Sequence, residues 1–246
     1  MPSFRVVGPG RAGMSLVAAL AAAGWESIGL LGRNDDPTAA AHGVDLLVLA
    51  TPDAAIREVA TSVRPVPTTV VVHLSGATGL DALDPHVLRA SLHPLVSMPD
   101  AEVGAQRLVG AWFAVAGERR AMGLVRRLVD DLDGRSFPVA SGDRAVYHAA
   151  AVVASNHLVA LMGQVARLAD AVGVPLDAYL DLAAGSLDNV RGVGPSAALT
   201  GPAARGDVKT VEAHLVALPA DERDTYRALA AEARRLAGRR EPGAGT

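Results

Sequence analysis

Between an apolar run at residues 3–7 and an Ala/Leu-rich run at 12–23 lies Gly8-Pro9-Gly10-Arg11-Ala12-Gly13. The first run reads as a short buried strand and the second as a helix. Glycines at that spacing, after a strand and before a helix, have a specific use. The first permits a tight turn, the second lets a diphosphate approach the backbone, and the third lets helix and strand pack. Free N–H groups at the helix start, together with its positive dipole end, then hold the diphosphate without a charged side chain. Gly8, Pro9, Gly10, Arg11, Ala12 and Gly13 are therefore the first candidate binding set, for a dinucleotide.

The end of the next strand, ESIGLLG (26–32), selects among dinucleotides. A cofactor without a 2′-phosphate commonly meets an Asp or Glu about 20 residues after the glycines. Here the chain reads Gly32-Arg33-Asn34, with no carboxylate before Asp35. Arg33, helped by Arg11, can pair with a 2′-phosphate in a charge-assisted contact, which favours NADP(H). Asn34 joins it as a cofactor candidate. Thr51-Pro52 closes a further strand at the carboxyl edge of the sheet, where ligands bind in open α/β folds. Asp53 follows as the expected N-cap of the next helix.

Other polar residues are candidates for chemistry. Ser75 and Gly76 end the strand after that and can contact a nicotinamide or substrate; Ser-Gly is also ordinary turn chemistry. His93 precedes Pro94, which fixes an extended backbone there, and is either a pocket histidine or a satisfied structural one. On a long apolar helix, His148, Ser155 and Asn156 share one arc at 3.6 residues per turn, while His157 points away. Polar groups on such a helix are either paired with backbone or used by a site. Arg205, in the loop before a helix capped by Asp207, can grip a carboxylate or pair with Asp207. His214 reads as a core histidine. No His/Asp/Glu cluster has metal-ligand spacing, so no metal is expected.

These residues need elements to position them. Continuous apolar runs at 44–51 and 68–74, with strands at 108–117 and 136–140 and helices at 53–63 and 119–132, alternate as a doubly wound parallel sheet. The fold class is thus α/β, with a Rossmann domain over residues 1–140 and an all-helical domain over 141–239. Helices are expected at 144–172, 176–189, 207–217 and 221–237, a Gly/Pro-rich loop at 190–207, and a disordered tail at 240–246. The helix at 144–172 is apolar all round, which predicts burial on more than one side.

Composition narrows the classes. A net charge of −3 with no basic, aromatic-studded stripe argues against nucleic acid. The absence of cysteine removes disulfides and thiolate chemistry. There is no signal-peptide pattern, and the richest apolar run is interrupted by Ser155, Asn156 and His157, so no membrane association and a cytoplasmic location are expected. Lys209 is the single lysine.

GPGRAG at the start, SLHPL, YHAAAVVASNHLVAL and ALTGPAARGD together resemble a family of Rossmann-like proteins with a helical C-terminal domain of formerly unknown function. That family is similar to 6-phosphogluconate dehydrogenase, pyrroline-5-carboxylate reductase and ketopantoate reductase, and some members are taken as an alternative type of ketopantoate reductase. The resemblance implies an NADP-dependent reductase of pantothenate synthesis, a cleft site between the domains, and a homodimer packed through the helical domains. It also exposes a departure. Familiar ketopantoate reductases carry a catalytic lysine four residues before the helix asparagine; here that place is Val152.

The expected reaction is hydride transfer from NADPH to the carbonyl of a small 2-oxo acid such as ketopantoate. His148 is the expected proton donor, because imidazole titrates near working pH. Asn156 and Ser75 would hydrogen-bond the substrate, and Arg205 or His93 would hold its carboxylate. Two alternatives remain: imine reduction of the pyrroline-5-carboxylate type, and an NADP-binding sensor that turns nothing over.

Overall fold

The structure, a computed structural model, describes residues 1–238; the tail expected at 240–246 lies outside the described residues. Seven strands form one sheet: β1 (Ser3–Val7), β2 (Glu26–Leu31), β3 (Leu46–Leu49), β4 (Val70–His73), β5 (Arg89–Pro94), β6 (Trp112–Gly117) and β7 (Arg135–Pro138). Their order is β2-β1-β3-β4-β5-β6-β7. The chain moves outward from β1 to β2 and then returns to the other side of β1. Strand order therefore reverses between β1 and β3, and the crevice at their carboxyl ends is where ligands bind in such sheets.

β3 and β4 are buried throughout because helices cover both faces. Side chains alternate across the sheet, so Leu46 and Val48 join Phe4, Leu16 and Phe113 on one side. Leu47 and Leu49 join Val7, Ile56 and Leu83 on the other. The covering helices of this unit are α1 (Arg11–Ala22), α2 (Ile56–Ser62), α3 (Ala101–Leu108) and α4 (Met122–Asp131).

Two features depart from the sequence reading here. β5 and α3 were not expected as elements, and the sheet is not wholly parallel, since β6 runs antiparallel to β5. An antiparallel neighbour starts at the edge where the previous strand stops, so no crossover was required between them. The alternation rule had assumed one.

After β7 the described chain is helical: α5 (Arg144–Val152), a π turn (Val153–His157), α6 (Leu158–Ala171), α7 (Leu176–Ala198), α8 (Pro202–Arg205), α9 (Val208–Ala217) and α10 (Arg223–Ala237). By compactness the chain divides into Met1–Ser155 and a unit from Asn156 onward. The division falls inside the π turn, so α5 belongs with the sheet.

The expected loop at 190–207 is corrected. α7 continues through it to Ala198, with a break only at Gly194, whose φ of +78° precedes Pro195. Glycine takes that left-handed geometry freely, and the helix resumes after the proline. The expected burial of the long helix is also corrected. Val146, Val153 and Val159 on it are 75%, 58% and 72% exposed. The run Ser141–Ala171 is long and apolar enough, by length and composition, to cross a membrane, contrary to the sequence reading. Its polar residues lower the mean hydropathy without interrupting the helix. In the second unit, Gln164 donates to the Glu222 carbonyl at 2.9 Å, and Arg167 clasps the Glu222 carboxylate, tying α6 to the start of α10.

The glycine loop makes a stability prediction. A Cβ on Gly13 would lie 2.1 Å from the Gly8 carbonyl oxygen, whereas one on Gly10 would meet nothing within 4 Å. Gly13→Ala should therefore lose about 1–3 kcal/mol from overpacking, and Gly10→Ala less than about 1 kcal/mol. Urea denaturation of the two variants beside the parent checks this.

Candidate cofactor and active site

The loop after β1 is shaped by close approach. Gly8 has φ +111°, and a Cβ there would sit 2.6 Å from the Ala50 carbonyl oxygen at the end of β3. Gly10 is the N-cap of α1; no side chain caps that helix, and no acidic residue occupies its first turn. Its leading N–H groups are thus left for an external acceptor. A cavity of about 760 Å³ opens beside them, bounded by Gly8, Gly10, Arg33, Thr51 and Pro52. A second, of about 480 Å³, shares Gly10, Thr51 and Pro52 and extends to Arg11, Ala12 and His93. The Thr51 hydroxyl is buried without a hydrogen-bond partner in the protein.

Charges of both signs line the larger cavity, Arg33 with Asp35 and Glu58. Arg33 and Arg11 are exposed, and neither side chain forms an ion pair among the described residues. Asp35, exposed on the same cavity wall, accepts the Gly32 N–H at 2.7 Å. Asn34 is exposed on the same turn.

The loop after β4 is held by a dense network. The Ser75 hydroxyl donates to Asp53 Oδ2 at 2.6 Å and accepts the N–H groups of Ala77 and Thr78 at 3.2 and 3.0 Å. This corrects Asp53, which accepts from Ser75 rather than capping a helix; the helical turns after it have no side-chain cap. Ser75 is buried, and its hydroxyl is engaged within the loop. The Ser75 N–H donates to His73 Nδ1 at 3.2 Å.

Beneath this loop lies Arg144, from the first turn of α5, only 6% exposed. Its guanidinium donates to the Gly76 carbonyl at 3.3 Å, to the Ser75 carbonyl at 3.5 Å and to the Ser91 hydroxyl of β5. One turn on, Tyr147 and His148 face His93. The Tyr147 hydroxyl is 2.5 Å from His93 Nδ1, and the His93 and His148 rings meet edge to face at 6.1 Å. Gly76 is wedged between them: a Cβ there would lie 2.8 Å from His148 Cδ2 and 2.9 Å from His93 Cε1.

Burial sets the proton states. The His93 imidazole is pushed down to about 4 by burial, by the His148 ring and by Arg144, against the opposing pull of Asp53. His73 is likewise lowered to about 4, by burial and then by Arg144, with Asp53 and the Gly79 backbone opposing. Burial raises the Tyr147 phenol, and Arg144 partly offsets it. Both histidines are neutral near pH 7.

The structure thus brings Gly8, Pro9, Gly10, Arg11, Ala12, Arg33, Thr51, Pro52 and His93 to two adjoining cavities, and Ser75, His93 and His148 around Gly76. Asn156 and Arg205 belong to the second unit, where Arg205 ends α8, exposed. A π turn at 153–157 lies between His148 and the start of α6 and carries Ser155 and Asn156. The Ser155 hydroxyl donates to the Ala151 carbonyl at 2.7 Å. Asp207 caps α9 as expected, accepting from Thr210. His214 is exposed against Tyr226 rather than in a core. No cluster of three or more metal-ligating side chains occurs among the described residues.

Sequence reasoning missed Arg144, Tyr147 and His73. A signal existed for two of them, since Arg144, Tyr147 and His148 at i, i+3 and i+4 share a helix face.

Residues 111–233 match the family described as a domain of unknown function, DUF2520. The chain belongs to the DUF2520 family. Residues 31–99 match a Rossmann-like domain, consistent with the sheet. Among solved structures, the chain is similar to BF3122 of Bacteroides fragilis, provisionally named an NADP oxidoreductase, with TM-score 0.79 and 19% identity over 97% of this chain and 98% of that one. It is similar to TM1727 of Thermotoga maritima, with TM-score 0.73 and 22% identity over 96% and 98%. It is also similar to the Plasmodium falciparum pyrroline carboxylate reductase solved with NADP bound, with TM-score 0.63 and 12% identity over 96% and 98%. These likenesses establish the shared fold across both units. A search of curated protein sequences gave no match.

His73, buried, and His93, half-buried, predict an acid-sensitive fold. Their native values near 4 lie below the ordinary 6.5, so the unfolded chain binds more protons between those limits. Stability should fall as pH drops from 6.5 to 4, by a cost on the order of 3 kcal/mol for each histidine once complete. Urea midpoints at pH 7.5 and 5 should differ less for His73→Gln or His93→Gln than for the parent.

Proposed function

We propose that this protein is an NADP-dependent reductase that delivers hydride from NADPH to the carbonyl of a small 2-oxo acid, of the kind ketopantoate represents. The carrying observation is the pair of adjoining cavities that run from Arg33, past the glycine loop and the partnerless Thr51 hydroxyl, to His93. These residues fit the cofactor. The open space at Gly10 and the uncapped start of α1 suit a diphosphate. Arg33 and Arg11 suit a 2′-phosphate, while Asp35 is occupied by its own turn. When bound, NADPH supplies the hydride.

The chain's own residues would then orient the substrate and supply a proton. His93 bounds the inner cavity, and buried Arg144 places positive charge behind it, which suits a substrate carrying a carboxylate. One observation favours a second reading, imine reduction: His73 and His93 are both neutral near pH 7, and an iminium substrate brings its own proton.

We also propose that the protein is a homodimer through its helical part. Val159 of α6 and Leu182 of α7 are 72% and 66% exposed, and an apolar groove of about 360 Å³ lies between those helices. A second copy would bury this surface.

Three measurements follow. NADPH absorbance should fall with ketopantoate; consumption with pyrroline-5-carboxylate alone would select the imine reading, and binding without consumption would mark a sensor. Arg33→Ala should weaken NADPH binding about tenfold or more while leaving NADH within about twofold, since only NADPH offers a phosphate to the guanidinium. Light scattering should give the mass of a dimer, reduced to a monomer by Leu182→Glu.

A further inference from the structure

We propose that His93 and Tyr147 form a proton relay, in which the Tyr147 hydroxyl passes a proton through the imidazole to the substrate oxygen created by hydride addition. The proposal rests on the reductase reading above and assigns its proton source to a residue pair that the sequence did not single out. The geometry is direct. Tyr147 Oη lies 2.5 Å from His93 Nδ1, and His93 bounds the inner cavity. Tyr147 is steadied from behind by Phe137 of β7, edge to face at 5.9 Å, and Phe137 packs in turn on Trp112.

A phenol that keeps its proton donates it, so Nδ1 of the neutral ring is the acceptor and Nε2 carries the hydrogen. A neutral imidazole with Nε2–H is a hydrogen-bond donor that persists across the working pH range, unlike an imidazolium. In the reaction, hydride addition leaves negative charge on the substrate oxygen. That oxygen takes the Nε2 proton, and Nδ1 takes the Tyr147 proton. The imidazole is neutral before and after, having exchanged one tautomer for the other. A phenolate remains; once product has left, the Nδ1 proton returns to it and Nε2 takes a proton from water, which restores the Nε2–H tautomer. The sum is one hydride from NADPH and one proton from water.

The surrounding charges suit these states. Arg144 and His148 on α5, with His73 on β4 and Asp53 after β3, are the titratable groups that act on the pair. Arg144 favours the phenolate, and burial, His148 and Arg144 together disfavour an imidazolium, with Asp53 alone opposing. His148 therefore acts on the donor through its field and its edge contact, in place of the donor role expected from sequence.

Two experiments on the full chain test the relay. Nitrogen-15 NMR of the imidazoles, without cofactor, should show His93 as the Nε2–H tautomer, neutral from pH 9 to below 5. An Nδ1–H tautomer, or titration near 6.5, overturns the proposal. Steady-state rates with NADPH and ketopantoate form the second test. The parent should have a kcat that is flat from pH 6 to 9. Tyr147→Phe should lose at least tenfold in kcat at pH 7.5 while KM and NADPH affinity stay within about threefold. Its rate should rise as pH falls toward 5, because the proton must then come from an imidazolium. A flat Tyr147→Phe profile at near-parental kcat overturns the relay and leaves the reductase reading intact, as does acid dependence produced by His148→Gln and not by Tyr147→Phe. A parent that consumes no NADPH with ketopantoate overturns both.

Discussion

One buried guanidinium organises the inner end of this protein. Arg144 leaves the first turn of α5 and reaches two loop carbonyls after β4 and a hydroxyl on β5, so three separate elements share one hydrogen-bonding centre. No carboxylate hydrogen-bonds to it among the described residues, and it is therefore a cation solvated by backbone and hydroxyl dipoles. Such a group costs desolvation free energy, offset only while every donor keeps its acceptor. Displacing any of the three elements would leave donors unmet, which makes the arrangement stiff. Stiffness at this point matters because the elements it joins carry His73, Gly76, His93, Tyr147 and His148.

The same cation explains why the neighbouring groups have the protonation states they do. Burial alone lowers a histidine and raises a tyrosine. Arg144 adds to the first effect and opposes the second. Neutral imidazoles beside a phenol kept within reach of ionisation form a site suited to moving protons without accumulating charge on histidine. Two further guanidinium groups stand along the cavities, Arg11 on the inner one and Arg33 on the outer.

Much of this was legible in sequence where the constraint is local. The strand–turn–helix form of the glycine loop was legible because Gly13 packs against Gly8 within that unit and Gly10 faces open space, although the contact that excludes a side chain at Gly8 is Ala50, beyond β3. β3 and β4 were legible because burial on both faces leaves them apolar except for His73 at the end of β4. Reasoning failed where the deciding contact is distant. Asp53 is placed like a helix cap, yet its partner is Ser75, on the next strand's loop. Gly76 looks like turn chemistry, yet what excludes a side chain there is a pair of imidazoles from β5 and α5. β5 itself was hidden because an antiparallel neighbour breaks the alternation that had served for the others.

The long helix shows how a correct composition can mislead about environment. An apolar sequence signals that something covers it, not that its own chain does. α6 and α7 present valine and leucine outward and leave an apolar groove between them, while Gln164 and Arg167 of α6 hold the start of α10. The π turn sits where α5, fixed to the sheet by Arg144, gives way to α6. Its five residues separate the helix face that serves the site up to His148 from the start of α6. One helical run can then answer two demands: hydrogen-bonding groups toward the sheet in its first two turns, and an apolar surface beyond them.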